Sequence, residues 1–126
     1  MKIPDQLHYS AEHLWTQPDQ DGLWQAGITD YAQDLLGDIV FVEFPAIGDT
    51  LEAGKACGLV ESVKTGSDLH APMSGTVEAI NTTLETNPEQ INDQPYAAWI
   101  FKFRPHDPTQ ADHLLSASAY QQLLGD

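Results

Sequence analysis

Short runs of β-branched and aromatic residues, each closed by glycine, proline or a cluster of polar turn residues, recur along the chain and constrain its fold most strongly. Runs of roughly 3–10 residues separated by tight turns are typical of antiparallel β-strands. Helical patterns lie only at the margins of these runs, which predicts a mostly β protein, a small sandwich or barrel. Strands are predicted at residues 7–9, 14–16, 23–28, 38–44, 56–63, 76–80 and 99–103.

Helix signals occur at three places. A short helix is predicted from Asp30, which has capping-box spacing to Gln33, although Thr29 is a competing cap. Gly37 is a plausible residue to end this helix. A capped helical turn is predicted at 87–90, and a C-terminal helix is predicted to open at 107–110, with a possible break at 116–118. The period of two in the last strand places Trp99, Phe101 and Phe103 on one face.

Size and charge narrow the classes of protein further. The 126 residues suit one domain, 1–126, and a hydrophobic fraction of 41% argues against disorder. Five Lys and Arg stand against nineteen Asp and Glu, so the net charge is −14. A chain this acidic is a poor partner for nucleic acid or for an anionic membrane, and it suits a protein that docks on basic patches of larger enzymes. A salty habitat or plain solubility would account for the same charge.

The cysteine content and the N-terminal sequence bear on the compartment. Cys57, the single cysteine, excludes an internal disulfide and favours a reducing environment. Its apolar neighbours predict an inert, buried thiol. No apolar run approaches the length of a membrane span, and residues 1–5 resemble no targeting sequence, so a cytoplasmic protein is expected.

Lys64 stands at a predicted turn between two strands, with Glu61 and Asp68 nearby. Amine catalysis needs a lowered lysine pKa, and neighbouring carboxylates favour the charged ammonium instead. A lysine at an exposed turn is well placed to be acylated by another enzyme. The alternative is an ordinary solvated lysine, so the surrounding pattern decides between the two.

That pattern comprises Gly48-Asp49-x-Leu51-x-x-Gly54, Glu61-Ser62-Val63-Lys64 and Ala71-Pro72-x-x-Gly75-x-Val77. In order and spacing it resembles the lipoyl and biotinyl carrier domains. The resemblance implies a flattened β sandwich, the barrel-sandwich hybrid, in which one hairpin displays the lysine. Biotin carriers typically place methionines beside the lysine, whereas Val63 and Thr65 stand here, which favours lipoate.

The resemblance is closest to the glycine cleavage system H protein family and covers nearly the whole chain. It implies a protein without catalytic activity, with lipoate joined to Lys64 as N6-lipoyllysine. The implied partners are a lipoate ligase or lipoyl transferase, glycine decarboxylase, aminomethyltransferase and lipoamide dehydrogenase, and a monomer is expected. The segments that carry the similarity are 28–33, 36–42, 87–96 and 114–120.

Residues around the lysine are candidates for recognition by the ligase and partners: Glu61, Ser62, Val63 and Asp68. For the two acids, a merely solvated surface is the competing interpretation. The five histidines show no i,i+4 pair and no cysteine at ligand spacing, so no metal site is predicted. His70 is noted because it follows the lysine turn in sequence.

The chain departs from the family pattern where His13-Leu14-Trp15 replaces the usual His-Glu-Trp. The family's acid lies near the cleft that shelters the aminomethyl-loaded arm, and leucine cannot pair with a cation. The neighbouring Glu12 is a candidate to replace the family's acid. The candidate residues of the arm cleft are Glu12, Leu14 and His70. The region 96–99 also lacks the family's glycine.

The departure leaves two other functions open. In the second hypothesis, the same carrier is retargeted to another pathway, such as bacterial sulfur oxidation by a heterodisulfide-reductase-like complex. The third hypothesis is an unmodified structural module with the same fold.

Overall fold

Two antiparallel sheets form the framework of the protein, and they do not close into a barrel. The structure is a computed structural model and describes residues 1–125. The larger sheet has the strand order β1-β2-β3-β9-β8-β5, and the smaller sheet has the order β4-β6-β7. The strands are β1 His8–Tyr9, β2 Leu14–Pro18, β3 Trp24–Ile28, β4 Ile39–Glu43, β5 Thr50–Leu51, β6 Ala56–Ser62, β7 Gly66–His70, β8 Gly75–Ile80 and β9 Phe101–Pro105.

Short helices connect and flank these strands. They are α1 Asp30–Leu36, α2 Thr83–Thr86, α3 Gln90–Asp93 and α4 Ala117–Leu123, with 3-10 helices at Gln20–Gly22 and Pro108–His113. The mostly β sandwich predicted from the sequence is therefore confirmed. Within residues 1–125, none of these helices has the length and apolar character needed to cross a bilayer.

The helix caps explain where the helices begin. The Thr29 hydroxyl accepts a hydrogen bond from the Ala32 N–H, so Thr29 caps α1, while Asp30 instead accepts from the Gln33 amide. The predicted C-terminal helix is indeed split in two: Asp107 caps the 3-10 helix and Ser116 caps α4. A serine at an N-cap satisfies a free N–H, which is why the new helix starts there.

The core has two parts. The main cluster fills the space between the two sheets, and it includes Phe101 and Phe103 of β9, both fully buried. A second cluster packs α4 against β1 and β2 through Tyr9, Trp15 and Tyr120. The prediction that Trp99 shares a face with Phe101 and Phe103 is wrong, because Trp99 precedes β9 and packs against the second cluster.

Candidate functional site

The lysine sits at the tip of the β6–β7 hairpin, and Ser62 builds the turn that presents it. The Ser62 N–H donates to the Thr65 carbonyl at 2.7 Å. The Ser62 hydroxyl accepts from the backbone N–H groups of Lys64 and Thr65, each at 3.1 Å. Because one side chain satisfies two turn donors, the hairpin tip has a defined shape. Ser62 itself is only 8% exposed, so it shapes the turn from within.

Lys64 is exposed and lies against the C-terminal end of α1. Its Nζ is 3.4 Å from the Leu35 carbonyl oxygen, and its chain passes so near Gly37 that a Cβ there would lie 3.1 Å from Cε. A backbone hydrogen bond also joins the hairpin to the segment that follows α1, since the Val63 N–H donates to the Asp38 carbonyl at 3.0 Å. Within residues 1–125, the two salt bridges use Lys102 and Arg104, which leaves the Lys64 amine outside any ion pair.

A cleft of about 100 Å³ opens beside the hairpin, and α1 contributes to its wall. The lining is mostly apolar, and two exposed carboxylate residues, Glu12 and Asp68, interrupt it. Leu14 also lines the cleft and is 1% exposed. The other lining residues are His13, Ile28, Ala32, Leu35, Leu36, Val60, Ser67 and Leu69.

The amine and the cleft together fit a lipoyl group. An unpaired, exposed amine is the group that an amide-forming ligase needs, and the apolar cleft suits an alkyl chain that ends in a dithiolane. Leu35 connects the two features, since its carbonyl contacts Lys64 and it lines the cleft.

The predicted site residues divide into three groups. Glu12 and Leu14 meet Asp68 in the cleft, although more than 50 residues separate them in sequence. Glu61 and Val63 are exposed beside the lysine, where a partner can contact them. His70 does not belong to this site: β7 carries it to the far end of the hairpin, opposite Ala56, and the cleft lining does not include it.

Sequence reasoning missed a hydrogen-bonded group at the wall of the cleft, centred on His13. His13 adopts a left-handed backbone with φ of 71°, and its Nδ1 lies 2.8 Å from the Tyr120 hydroxyl. That hydroxyl is also 2.8 Å from the Thr29 hydroxyl, which caps α1. Burial lowers the pKa of His13 from its ordinary value, partly offset by the charge of Glu12. His13 and Tyr120 are 107 positions apart in the sequence, so no local sequence signal predicts this contact.

The single cysteine lies outside this site. Cys57 is partly buried, and burial raises the pKa of its thiol to about 11, which suits an unreactive side chain. The histidines, cysteine and acids within residues 1–125 form no group of three or more that could hold a metal ion.

Comparisons with known proteins agree with this geometry. The family model described as Glycine cleavage H-protein matches residues 7–126. The chain belongs to this family. Members of the glycine cleavage H-protein family carry a lipoate covalently attached to a lysine.

Individual relatives are similar over all or nearly all of their length. A glycine cleavage system H protein of Methylobacillus flagellatus is 65% identical over 126 residues, covering 99% of this chain and 100% of the relative. One from Thiobacillus denitrificans is 48% identical, covering 98% and 96%. The crystal structure of a glycine cleavage system H protein from Mycobacterium marinum superposes with a TM-score of 0.87 at 39% identity, covering 98% of this chain and 100% of that chain. These similarities favour glycine cleavage over the sulfur-oxidation alternative.

Proposed function

We propose that Lys64 is the lipoylated residue of this chain and that the protein serves glycine cleavage as a lipoyl carrier without catalytic activity of its own. The observation that carries the proposal is the position of Lys64: it is exposed at a shaped hairpin tip, unpaired, and adjacent to an apolar cleft. A carrier needs an attachment point that partner enzymes can reach and a place where the arm is sheltered between visits.

When bound, lipoate supplies a dithiolane that accepts a group from one enzyme and delivers it to the next. The chain's own residues hold and shelter that arm. Ser62 fixes the turn from which the arm extends, and the leucines of the cleft exclude water from its apolar part. Glu12 and Asp68 place carboxylates in the same cleft, where they would attract a cationic group on the arm.

The partners proposed for the chain follow from the same role. A lipoate ligase or lipoyl transferase attaches the arm, and glycine decarboxylase, aminomethyltransferase and lipoamide dehydrogenase use it in turn. Tethering raises the effective concentration of the arm at a docked enzyme. We further propose a monomeric, single-domain carrier that works in the cytoplasm.

The attachment site is tested by Lys64→Arg, which keeps the positive charge but has no acylable amine. We expect the variant to fold, to gain no lipoate and to lose all carrier activity. Intact mass after incubation with lipoate and a lipoate ligase measures attachment, and circular dichroism checks the fold. The matched control is Lys55→Arg at another exposed lysine, which should be lipoylated as fully as wild type. Lipoate on Lys64→Arg would show that another lysine is used.

The pathway is tested by reconstitution. Lipoylated protein is mixed with glycine decarboxylase and glycine, and the expected result is transfer of an aminomethyl group to the arm. A carrier that is lipoylated on Lys64 but accepts nothing in this assay would be a carrier for another pathway. A protein that stays unmodified would instead be a structural module.

A further inference from the structure

Four large apolar side chains are exposed around the lysine. Leu35 is 58% exposed, Val40 51%, Phe41 50% and Val63 68%. We call them the apolar patch. All four belong to the hairpin or to segments in contact with it: the Leu35 carbonyl accepts from the Lys64 amine, Val63 precedes that lysine, and β4, which carries Val40 and Phe41, pairs with β6. Contiguous exposed apolar residues in a water-soluble fold commonly mark an interaction surface.

An irregularity in β4 creates much of this patch. A regular strand turns alternate residues to opposite faces, so one of Val40 and Phe41 would point inward. Here the register shifts between Ile39 and Phe41, and both Val40 and Phe41 are exposed while Ile39 and Val42 stay buried. Bulges that re-aim side chains at sheet edges are specific features of a fold, and β4 is an edge strand of its sheet.

The surroundings of the patch are acidic. Asp34 and Asp38 flank it on the α1 side, Glu61 lies opposite Phe41, and Glu43 is exposed at the far end of β4. The positive charge in direct contact with the patch is Lys64, and an amide at its Nζ removes that charge. After acylation the patch is therefore apolar with a purely negative border.

We propose that the apolar patch is the surface on which this carrier docks at the active-site entrance of its partner enzyme. The partner's complementary surface is apolar at its centre and bordered by lysines or arginines. Interfaces with an apolar core and a charged rim have this arrangement, and opposite charges fix the orientation of docking. A second copy of the chain fits poorly, because its own patch has the same negative border.

The apolar patch lies beside the attachment point of the arm, so docking there would bring the arm to the enzyme. Because Val63 and Leu35 both adjoin Lys64, an enzyme seated on the patch holds the attachment point of the arm at the edge of the interface. This inference rests on the proposed carrier function and adds the surface through which the carrier binds.

The test compares Phe41→Ser with Ile47→Ser. Ile47 is a matched control, since it is 65% exposed and lies beyond the end of β4 that is farther from the lysine. Both variants are lipoylated, checked by intact mass and thermal unfolding, and titrated against glycine decarboxylase. We expect Phe41→Ser to raise the Kd and the KM for the carrier about tenfold with little change in kcat, since truncating an anchor aromatic weakens binding. Ile47→Ser should stay within about twofold of wild type.

The outcomes of this test distinguish a failure of the proposed docking surface from a failure of the proposed carrier function. Equal Kd values for Phe41→Ser and Ile47→Ser would overturn the docking surface even if wild type is active. A wild type that binds through Phe41 but accepts nothing from glycine would keep the surface and remove the glycine cleavage role. A wild type that does not bind overturns both. Dimerisation of wild type that Phe41→Ser abolishes, measured by sedimentation, would reassign the patch to self-association.

Discussion

Glu12 is one of the two acidic residues that line the mostly apolar cleft. Leu14 supplies only apolar surface there, and it is 1% exposed. An ammonium group sheltered in such a cleft is costly unless a carboxylate pairs with it. Glu12 and Asp68 are the acids within reach of the cleft.

We therefore expect Glu12→Gln to shorten the half-life of the aminomethyl-loaded carrier several-fold. The half-life is followed by mass spectrometry after removal of glycine decarboxylase. Glu85→Gln, at an exposed glutamate of α2 outside the cleft, is the control and should behave as wild type. An unchanged half-life in Glu12→Gln would show that Asp68 or the apolar lining suffices.

A second prediction concerns His13, whose titration should make the stability of the protein depend on pH. Burial lowers the pKa of His13 from 6.5, while Glu12 opposes the shift; Tyr31 and Tyr120 are the other titratable groups packed on its ring. The unfolded chain then binds a proton more readily than the folded one. The free energy of unfolding should fall as the pH drops through 6.5 towards the lower folded-state pKa.

The variant His13→Asn tolerates the left-handed backbone and cannot titrate. Between roughly pH 7.5 and 5, the free energy of unfolding of this variant should decline less than that of wild type, because the variant lacks the histidine titration. The carboxylates that titrate at lower pH are common to both proteins and do not contribute to the difference. Urea titrations at each pH measure this. His113→Asn, at an exposed histidine, is the control and should follow wild type. Parallel wild-type and His13→Asn curves would contradict the expectation.

Among the elements, the contact between β8 and β9 depends on Gly75. A Cβ at Gly75 would lie 2.5 Å from the Arg104 backbone carbonyl, and that carbonyl cannot move without breaking the strand pair. Gly75→Ala should lower the free energy of unfolding by roughly 1–3 kcal/mol.

Gly66→Ala is the matched comparison in β7, because its Cβ would meet side-chain and backbone atoms only at 3.4 Å or more. That variant should be neutral or slightly stabilising, since alanine restricts the unfolded chain. Chemical denaturation of both variants gives the difference. Equal stabilities would mean that β9 can shift to accept the added methyl.

Local signals predicted elements better than they predicted contacts between them. Ser116 and Asp107 cap helices through bonds to residues two or three positions away, so the split C-terminal helix could be read from the sequence. The turn at Lys64 was predictable for the same reason. The shifted register at Val40 depends on the pairing of β4 with β6, and the His13–Tyr120 bond depends on packing of distant elements. Neither has a signature within one segment.

For the molecule as a whole, the charge predicts that salt weakens partner docking. The net charge is −14, and two of the five cationic side chains are held in ion pairs with Asp19 and Glu78. Long-range attraction to a basic partner raises the association rate, and added ions screen it.

We expect the KM of lipoamide dehydrogenase for the lipoylated carrier to rise steadily as salt is added, while its kcat changes little. Free lipoamide, which lacks the acidic protein, is the control substrate for lipoamide dehydrogenase and should show a much flatter response. A carrier KM that is independent of salt would leave the acidity with no role beyond solubility.

The contact between Lys64 and α1 has a consequence for the act of modification. The Leu35 carbonyl belongs to the last turn of α1, where the aligned peptide dipoles leave a partial negative charge that an ammonium group stabilises by about 0.3–1 kcal/mol. The unmodified side chain is thus weakly held to its own protein, and a ligase must first detach it. Once the amide forms, that attraction is gone. Acylation both installs the arm and releases its base from the helix.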